Sequence, residues 1–262
     1  MTDVALFDLL NPVLSQLDHV LSGGLGIAPI WRIAVFAALG SIASMALFKG
    51  LSNQVELASL KQQISAVQKN LAGPQMESGD LKEAMQRNLK LTGRHLWLSF
   101  WPALLASIPL LFLLTFSSNQ FGVESPTSNS RIYATPKDFQ GSPSDYEWSG
   151  VNAQWDARKN AWTFYPLAAG QTATLMLGSQ KQIVLPTPVP ASVLHPKRWW
   201  NYLIANPAGY LDADVQIKWI EFNTPTQKII NWGPGWMRGW LFAFMLFLIV
   251  FSVAIKVVWK IH

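Results

Sequence analysis

The chain has 262 residues, half of them hydrophobic and only 13% charged, with a formal net charge of +5 and no cysteine. So apolar and charge-poor a composition is foreign to ordinary soluble domains, and the absence of cysteine excludes disulfides, thiolate metal centres and cysteine nucleophiles. The modest positive charge contains no basic run interleaved with aromatics, so nucleic acid is not expected as a direct partner; anionic lipid and acidic peptide segments suit the balance better.

Residues 1–24 form the first segment. Val4, Leu6, Leu9, Leu10, Val13, Leu14, Leu17 and Leu21 recur at three- and four-residue steps, with Asp8, Asn11, Gln16 and Asp18 between them. That spacing predicts an amphipathic helix, which either lies on the outer leaflet or packs against the domain that follows later in the chain. A basic leader and a continuous apolar core are both missing, so cleavage as a signal peptide is not expected.

Residues 25–48 follow Ser22-Gly23-Gly24 and are apolar apart from Arg32, Ser41 and Ser44. At about 1.5 Å per residue they span the roughly 30 Å hydrocarbon layer, which predicts a first transmembrane helix. Arg32 is its distinctive residue. A lone cation inside a bilayer is costly and usually faces a polar cavity or a partner. Three fates fit its position about two turns from the outer end: projection into a hydrated groove, snorkelling to the interface, or pairing with an acidic group of another subunit.

In residues 49–95, Leu57, Leu60, Ile64, Val67 and Leu71 lay one apolar stripe along a helix that Gly73-Pro74 ends. Asp80 followed by Glu83 predicts a capping box for a second helix, whose stripe is Leu81, Ala84, Met85 and Leu89. The two form an antiparallel coiled-coil hairpin, although a generic spacer would have the same periodicity. Residues 96–116, led by Trp97 and Trp101 and interrupted by Pro102 and Pro109, predict the second transmembrane helix.

Residues 117–235 are about domain-sized. They begin as loop, with Pro126, Pro136 and Pro143, and continue as strand-like runs over Ala161–Tyr165, Thr172–Leu177, Gln182–Leu185, Val215–Phe222 and Lys228–Ile230, with turn signals at Arg158-Lys159-Asn160 and Gly178-Ser179. A small antiparallel β-sandwich or barrel is expected. Trp148, Trp155, Trp162, Trp199, Trp200, Trp219 and Trp232 either fill its core or form a recognition surface. Lys197-Arg198-Trp199-Trp200 is the best local candidate for docking onto headgroups or a partner.

Residues 236–262 hold the third transmembrane helix, from Trp240 to about Val258, with Trp236, Trp240 and Trp259 at its ends, and a short tail. Lys49, Lys61, Lys69, Lys82, Arg87, Lys90 and Arg94 place the hairpin in the cytosol by the positive-inside rule. The N-terminus and the β-rich domain are then outside and the tail is cytosolic, as for a protein of the bacterial inner membrane. The predicted fold class is an α-helical membrane protein with three transmembrane helices, a cytosolic antiparallel coiled-coil hairpin and an inserted extracytoplasmic mostly-β domain.

This order of elements resembles the YidC/Oxa superfamily of membrane insertases. The likeness is greatest to its three-span branch, which includes archaeal YidC-like proteins, the third subunit of the ER membrane complex, and TMCO-type and Get-type subunits. It is carried by LKEAMQRNLKLTGRHLWLSFWPALLASIPLLFLLTF, Leu81–Phe116, where the family has a Met- and Lys-containing helix leading into a Pro-bearing span. GPGWMRGWLFAFMLFLIVFSVAIKVVWKI, Gly233–Ile261, is similar to the family's last helix with its aromatic-glycine approach. The likeness is one of order and texture rather than an invariant motif, and the long segment before the last helix departs from the three-span branch.

The resemblance implies an insertase that eases client transmembrane segments into the bilayer through a hydrophilic groove. Arg32 would attract acidic client residues there and hold water, while Ser41, Ser44, Ser99 and Ser107 supply hydroxyls. Met45, Met76 and Met85 would form a pliant hydrophobic mouth on the cytosolic side. Plainer roles are available for each: Gly40 and Ser44 suit close helix approach, serines bond back to helix carbonyls, and methionines fill cores. The implied partners are membrane lipids, client membrane proteins and a ribosome. A non-catalytic accessory subunit of a larger membrane complex is the alternative, with the outer domain docking other membrane-protein subunits.

Conventional catalysis is not expected. His19, His95, His195 and His262 lack metal-ligand spacing, and no nucleophile elbow, Walker loop or dinucleotide fingerprint occurs. Asp212 and Asp214 read as solvated turn residues. No metal and no cofactor is implied.

Overall fold

The computed structural model describes residues 5–71, 78–124, 126, 130–138, 142–166, 171–178, 180–186, 189–212, 215 and 217–261. The chain divides into two compact units, one reaching to Ile33 and resuming over Leu114–Ala243, the other made of Ala34–Leu113 and the chain from Phe244 onward.

The helices are α1 (Asn11–His19), α2 (Pro29–Leu51), α3 (Gln54–Leu71), α4 (Ser78–Ala106), α5 (Ile108–Phe121) and α6 (Trp240–Val258). Two of them, α2 and α6, are long and apolar enough to cross a membrane; α4 and α5 make a third span if the bent pair is counted as one. This agrees with a helical membrane protein carrying a β domain.

The first span starts later than its apolar run. Residues Val20–Gly24 form a π-helical turn after α1, Gly26 takes a positive φ, and α2 begins at Pro29, whose missing N–H costs nothing in a first helical turn. At the other end the Ser52 hydroxyl donates to the Phe48 carbonyl at 2.5 Å, and Asn53 Oδ1 caps α3 by accepting from the Glu56 amide. Between α3 and α4, Leu57, Leu60 and Val67 are buried, and Glu56 at the start of α3 meets Arg94 well along α4 at 2.6 Å, so the pair is antiparallel. The second helix already begins at Ser78, so the expected cap at Asp80 falls inside its first turn, while the Gly73-Pro74 stop lies outside the described residues.

The apolar run expected as the second span is broken. Pro109 has no N–H for the Leu105 carbonyl and its ring crowds that carbonyl, so α4 stops at Ala106 and α5 leaves at 40°. The Ser107 amide is shared between the carbonyls of Ala103 and Leu104, and its hydroxyl donates to Leu104 at 2.6 Å, which satisfies part of what the break frees.

The β-rich segment folds as two antiparallel sheets. One has the order β3-β4-β1-β8-β7, from Gln154–Asp156, Ala161–Phe164, Ile132–Lys137, Trp219–Phe222 and Val193–Leu194; the other is β2-β5-β6, from Tyr146–Ser149, Thr172–Leu177 and Gln180–Pro186. Alternate residues point inward: Ile132 and Ala134 on β1, Tyr146 and Trp148 on β2. Both sheets contribute to one core with Trp162, Phe164, Leu175, Leu185 and Ile220, which is a sandwich. The rings interlock edge to face, with Trp162 at 6.1 Å from Trp148 and 5.1 Å from Trp155. Burial pushes the Tyr146 phenol pKa up, because the anion would lose its hydration. Gly150 is required after β2, since a Cβ there would lie 2.5 Å from the Thr172 carbonyl oxygen.

Several sequence expectations change. Among its described residues the run Val215–Phe222 contributes strand only from Trp219. Lys228–Ile230 is not a strand, because the Ile229 and Ile230 amides both turn to the Arg238 carbonyl. Strands β1, β2, β3 and β7 were not expected, β1 being disguised by Pro136.

Candidate functional site

In the helical unit, Gly40 of α2 sits where a Cβ would meet Leu110 Cδ2 at 2.8 Å and Leu113 Cδ1 at 3.0 Å, so the small residue permits close approach by α5. One turn further on, the packing opens. Ser44, Met45 and Phe48 of α2, Ala103, Ala106, Ser107 and Leu110 around the break, and Lys256 and Ile261 at the end of α6 enclose a cavity of about 300 Å³. Its origin is local: the bend moves backbone away while Ala103, Ala106 and Ser107 carry too little side chain to refill the gap. Ile261 closes the base because Lys260 takes a left-handed conformation and the Ile261 amide returns to the Lys256 carbonyl at 3.1 Å, a Schellman-type stop with lysine in the glycine place.

Chemically this recess is an apolar trough with a few polar points. The Ser44 hydroxyl is buried with no hydrogen-bond partner among the described residues. A buried hydroxyl without a partner costs about 1–3 kcal/mol, so it marks a place where a water or a ligand group would be bound favourably. Lys256 is exposed at the edge and supplies a cation.

The expected groove residues are thus partly assembled. Ser44, Met45 and Ser107 line one cavity. Ser41 does not; its buried hydroxyl donates to the Ala37 carbonyl at 2.8 Å and receives Ser252 Oγ at 3.3 Å, holding α2 to α6. Ser99 bonds back to the His95 carbonyl at 2.6 Å. Met85 lies beside a separate recess of about 710 Å³ on the hairpin, with Leu71, Leu81 and Leu89, and both Met85 and Leu89 are well exposed. Met76 lies outside the described residues.

Arg32 belongs to the other unit, and the chain itself supplies its counter-ion. The guanidinium forks onto Asp18 of α1: Nε donates to Oδ1 at 2.7 Å and Nη2 to Oδ2. Asp18 also accepts from Gln120 Nε2 of α5 at 2.9 Å, and the Phe121 ring lies 5.1 Å from the guanidinium carbon. The side chains retain 12% and 3% of their exposure. A bidentate, nearly dry pair of this kind fixes three elements in register. None of the three fates read for Arg32 included an acid of its own chain, yet Asp18 stood fourteen residues earlier on the amphipathic segment.

Lys197, Arg198, Trp199 and Trp200 fall around a short 3-10 turn, Trp199–Tyr202. Trp199 is 79% exposed, whereas Trp200 is half-buried with its ring 5.3 Å from His195. Lys197 lies over the rings of Tyr202 and Tyr210 at 4.5 and 5.9 Å. Arg198 is exposed, and its backbone amide donates to Asn201 Oδ1.

Comparison of the chain with protein-family models, curated proteins and solved structures gives no match to any of them. Among the described residues no three His, Asp or Glu groups come together as a metal site would require.

Proposed function

We propose that the protein is an insertase-like membrane chaperone of the YidC/Oxa kind, which eases client transmembrane segments into the bilayer along the recess at Ser44, Met45 and Ser107. The observation that carries this reading is that recess: a cavity between three apolar helices, at a proline break, with an unsatisfied buried hydroxyl and a lysine at its edge. Moving a polar tail through hydrocarbon costs several kcal/mol per unsatisfied group, and a notch that holds water and offers hydroxyls lowers that cost. Met45 and Phe48 would touch the client's apolar side, and Lys256 would attract acidic residues near it. Arg32 enters this proposal as a brace, since its charge is already spent on Asp18. By the distribution of lysine and arginine the hairpin faces the cytosol, where its exposed Leu89 and Met85 would receive a client or a ribosome, and the sandwich lies outside.

The same exposed apolar residues on the hairpin, with Trp199, favour a second reading as an accessory subunit that docks partners in a larger membrane complex. A photo-crosslinking amino acid at Ser44 or Met45, compared with one at Leu89, separates the two. The insertase reading expects crosslinks from the recess to a nascent membrane segment and reduced insertion by reconstituted Ser44→Leu protein. Crosslinks confined to Leu89, onto a stoichiometric companion, with insertion unchanged in Ser44→Leu protein, would overturn it.

A further inference from the structure

Helix α1 is amphipathic, and it is turned the opposite way from a helix on a water-soluble surface. Its acids face inward: Asp8, just before the helix, and Asp18, in its last turn, keep 8% and 2% of their exposure. Its aliphatic residues face outward, with Leu9 57%, Val13 67% and Val20 55% exposed. Steps of four and seven residues put these three along one side, and exposed Leu10 lies beside them. In water this arrangement is doubly unfavourable, since it buries carboxylates and leaves an apolar stripe against solvent.

Hydrogen bonds within one compact unit fix the inward orientation. Asp8 accepts from Asn11 Nδ2 at 2.6 Å, Asn119 Nδ2 of α5 at 3.2 Å and the Ala205 amide at 2.8 Å. Asp18 accepts from Gln120 at 2.9 Å and from the Arg32 guanidinium, fourteen residues on. Fourteen residues of unbroken helix would set those two about 21 Å apart. They meet because the chain folds back between them, through the π-helical turn Val20–Gly24 and Gly26, and the Ile27 amide returns to the Leu21 carbonyl at 2.9 Å. Helix α1 therefore lies beside the first turn of α2, and both belong to the same unit.

Place and chemistry together name what covers the outward stripe. Since α2 is long and apolar enough to cross a membrane and Arg32 stands in its first turn, α1 is held at the level where that span enters the lipid. Trp31, beside Arg32, is exposed at the same level, as aromatic side chains are at the interface. No lysine or arginine precedes Arg32, whose charge is matched by Asp18, so α1 has nothing basic with which to meet anionic headgroups. A stripe of Leu and Val without Arg, Tyr or Trp is also poor at recognising protein, because interface energy is concentrated in those larger side chains. Acyl chains require no directional partner and accept a plain aliphatic face.

We propose that α1 is an interfacial helix sunk into lipid beside the first span, its aliphatic face among the acyl chains and its acidic face turned to the protein. The helix covers Arg32. It supplies the counter-ion on one side and presents hydrocarbon to lipid on the other, so that a cation can stand in the first turn of a membrane span. The contact is with the acyl region and not with a charged headgroup, and it does not rest on the insertase reading.

Because the chain has no cysteine, a single introduced cysteine carries a nitroxide label to one chosen place. Full-length protein with Leu9→Cys, Val13→Cys or Val20→Cys is reconstituted in phosphatidylcholine vesicles. Collision of each label with oxygen, which concentrates in lipid, is compared with collision with a water-soluble nickel chelate. Ser15→Cys, exposed on the polar side of α1, and Ile249→Cys, exposed on α6, are the references. All three stripe labels should match Ile249, with oxygen collision several-fold above that of the chelate, and Ser15 should show the reverse order. Added phosphatidylglycerol should leave the ratios unchanged. Stripe labels that behave like Ser15 overturn the proposal, since the stripe then faces water. Immobile labels shielded from both reagents overturn it too, and assign the stripe to a protein partner or a second copy. Lipid contact that needs phosphatidylglycerol overturns it by making the attraction one of charge. The unaltered protein gives an independent reading: phosphatidylcholine with a photoreactive group in its acyl chain should modify residues of α1 as well as α6, and modification of α6 alone overturns the proposal. Neither measurement reads client insertion, so failure here leaves the recess at Ser44 untouched.

Discussion

Asp18 and Ser44 are polar side chains set beside apolar helices, and the protein handles them in opposite ways. Asp18 receives three donors from two side chains and is closed off; Ser44 has no partner among the described residues and borders a cavity. Around Asp18 the polar groups are spent on bracing, whereas beside Ser44 the packing is left unfinished. Saturated polar networks define a single arrangement, while incompletely satisfied and loosely filled places are where ligands gain most by binding.

The largest effect should come from breaking the brace. Arg32→Ala leaves the Asp18 carboxylate buried without its counter-charge, and stability should fall by about 3–5 kcal/mol, read by denaturant unfolding in detergent. Arg32→Met combined with Asp18→Leu should recover most of the loss, because an apolar pair of similar volume avoids the desolvation cost. If the single variant were instead as stable as the parent and failed only in client insertion, the arginine would belong to the groove and the contrast with Ser44 would collapse.

Tryptophans offer the same contrast inside one unit. Trp162→Ala should cost about 3–5 kcal/mol, since its ring is buried among Tyr146, Trp148 and Trp155. Trp199→Ala, at an exposed position, should stay within about 0.5 kcal/mol. Equal effects on thermal melting would mean that Trp199 is covered in the folded protein. In the helical unit, Ser44→Ala should be neutral or stabilising by roughly 1 kcal/mol, because it removes an unsatisfied hydroxyl, while lowering insertion of clients with polar tails. A loss of stability on that change would show that the hydroxyl already has a partner and would remove the main support for the groove.

What was legible in the sequence follows the range of the forces involved. Spans α2 and α6 and the hairpin stripe of Leu57, Leu60 and Val67 were readable because run length and local periodicity decide them. Strand β5 was placed to the residue, and Asn160 and Gly178 in left-handed conformations mark the expected turns. The break at Ser107 was harder, since Pro102 lies inside α4 without ending it and only Pro109 coincides with the bend. The partner of Arg32 was invisible to span-by-span reading, because Asp18 counted as one polar residue on an amphipathic face. Whether Ser41, Ser44, Ser99 or Ser107 faces a cavity depends on which neighbour approaches, and periodicity carries no such information.

The smallest expected effect concerns an exposed ion pair across the sheet. Glu221 of β8 accepts from the Trp219 indole at 3.0 Å and meets Lys137 of β1 at 3.2 Å, and the indole hydrogen bond first, then the lysine, holds its carboxyl below the ordinary range. A carboxyl whose folded pKa is lowered stabilises the fold above its unfolded pKa, and that contribution is lost as pH falls through the lowered folded value, where both states are protonated. Glu221→Gln should therefore flatten the acid side of the melting-temperature profile in that window, by lowering neutral-pH melting slightly while leaving melting below the window at the parent's value. The pair is open to solvent, so added salt should shrink the lysine's share while the indole hydrogen bond persists. The Arg32–Asp18 brace, being nearly dry, should show little salt dependence in the same series. A matching salt response at both pairs would mean that water reaches Asp18, and that the Asp18 site is no more closed than the recess at Ser44.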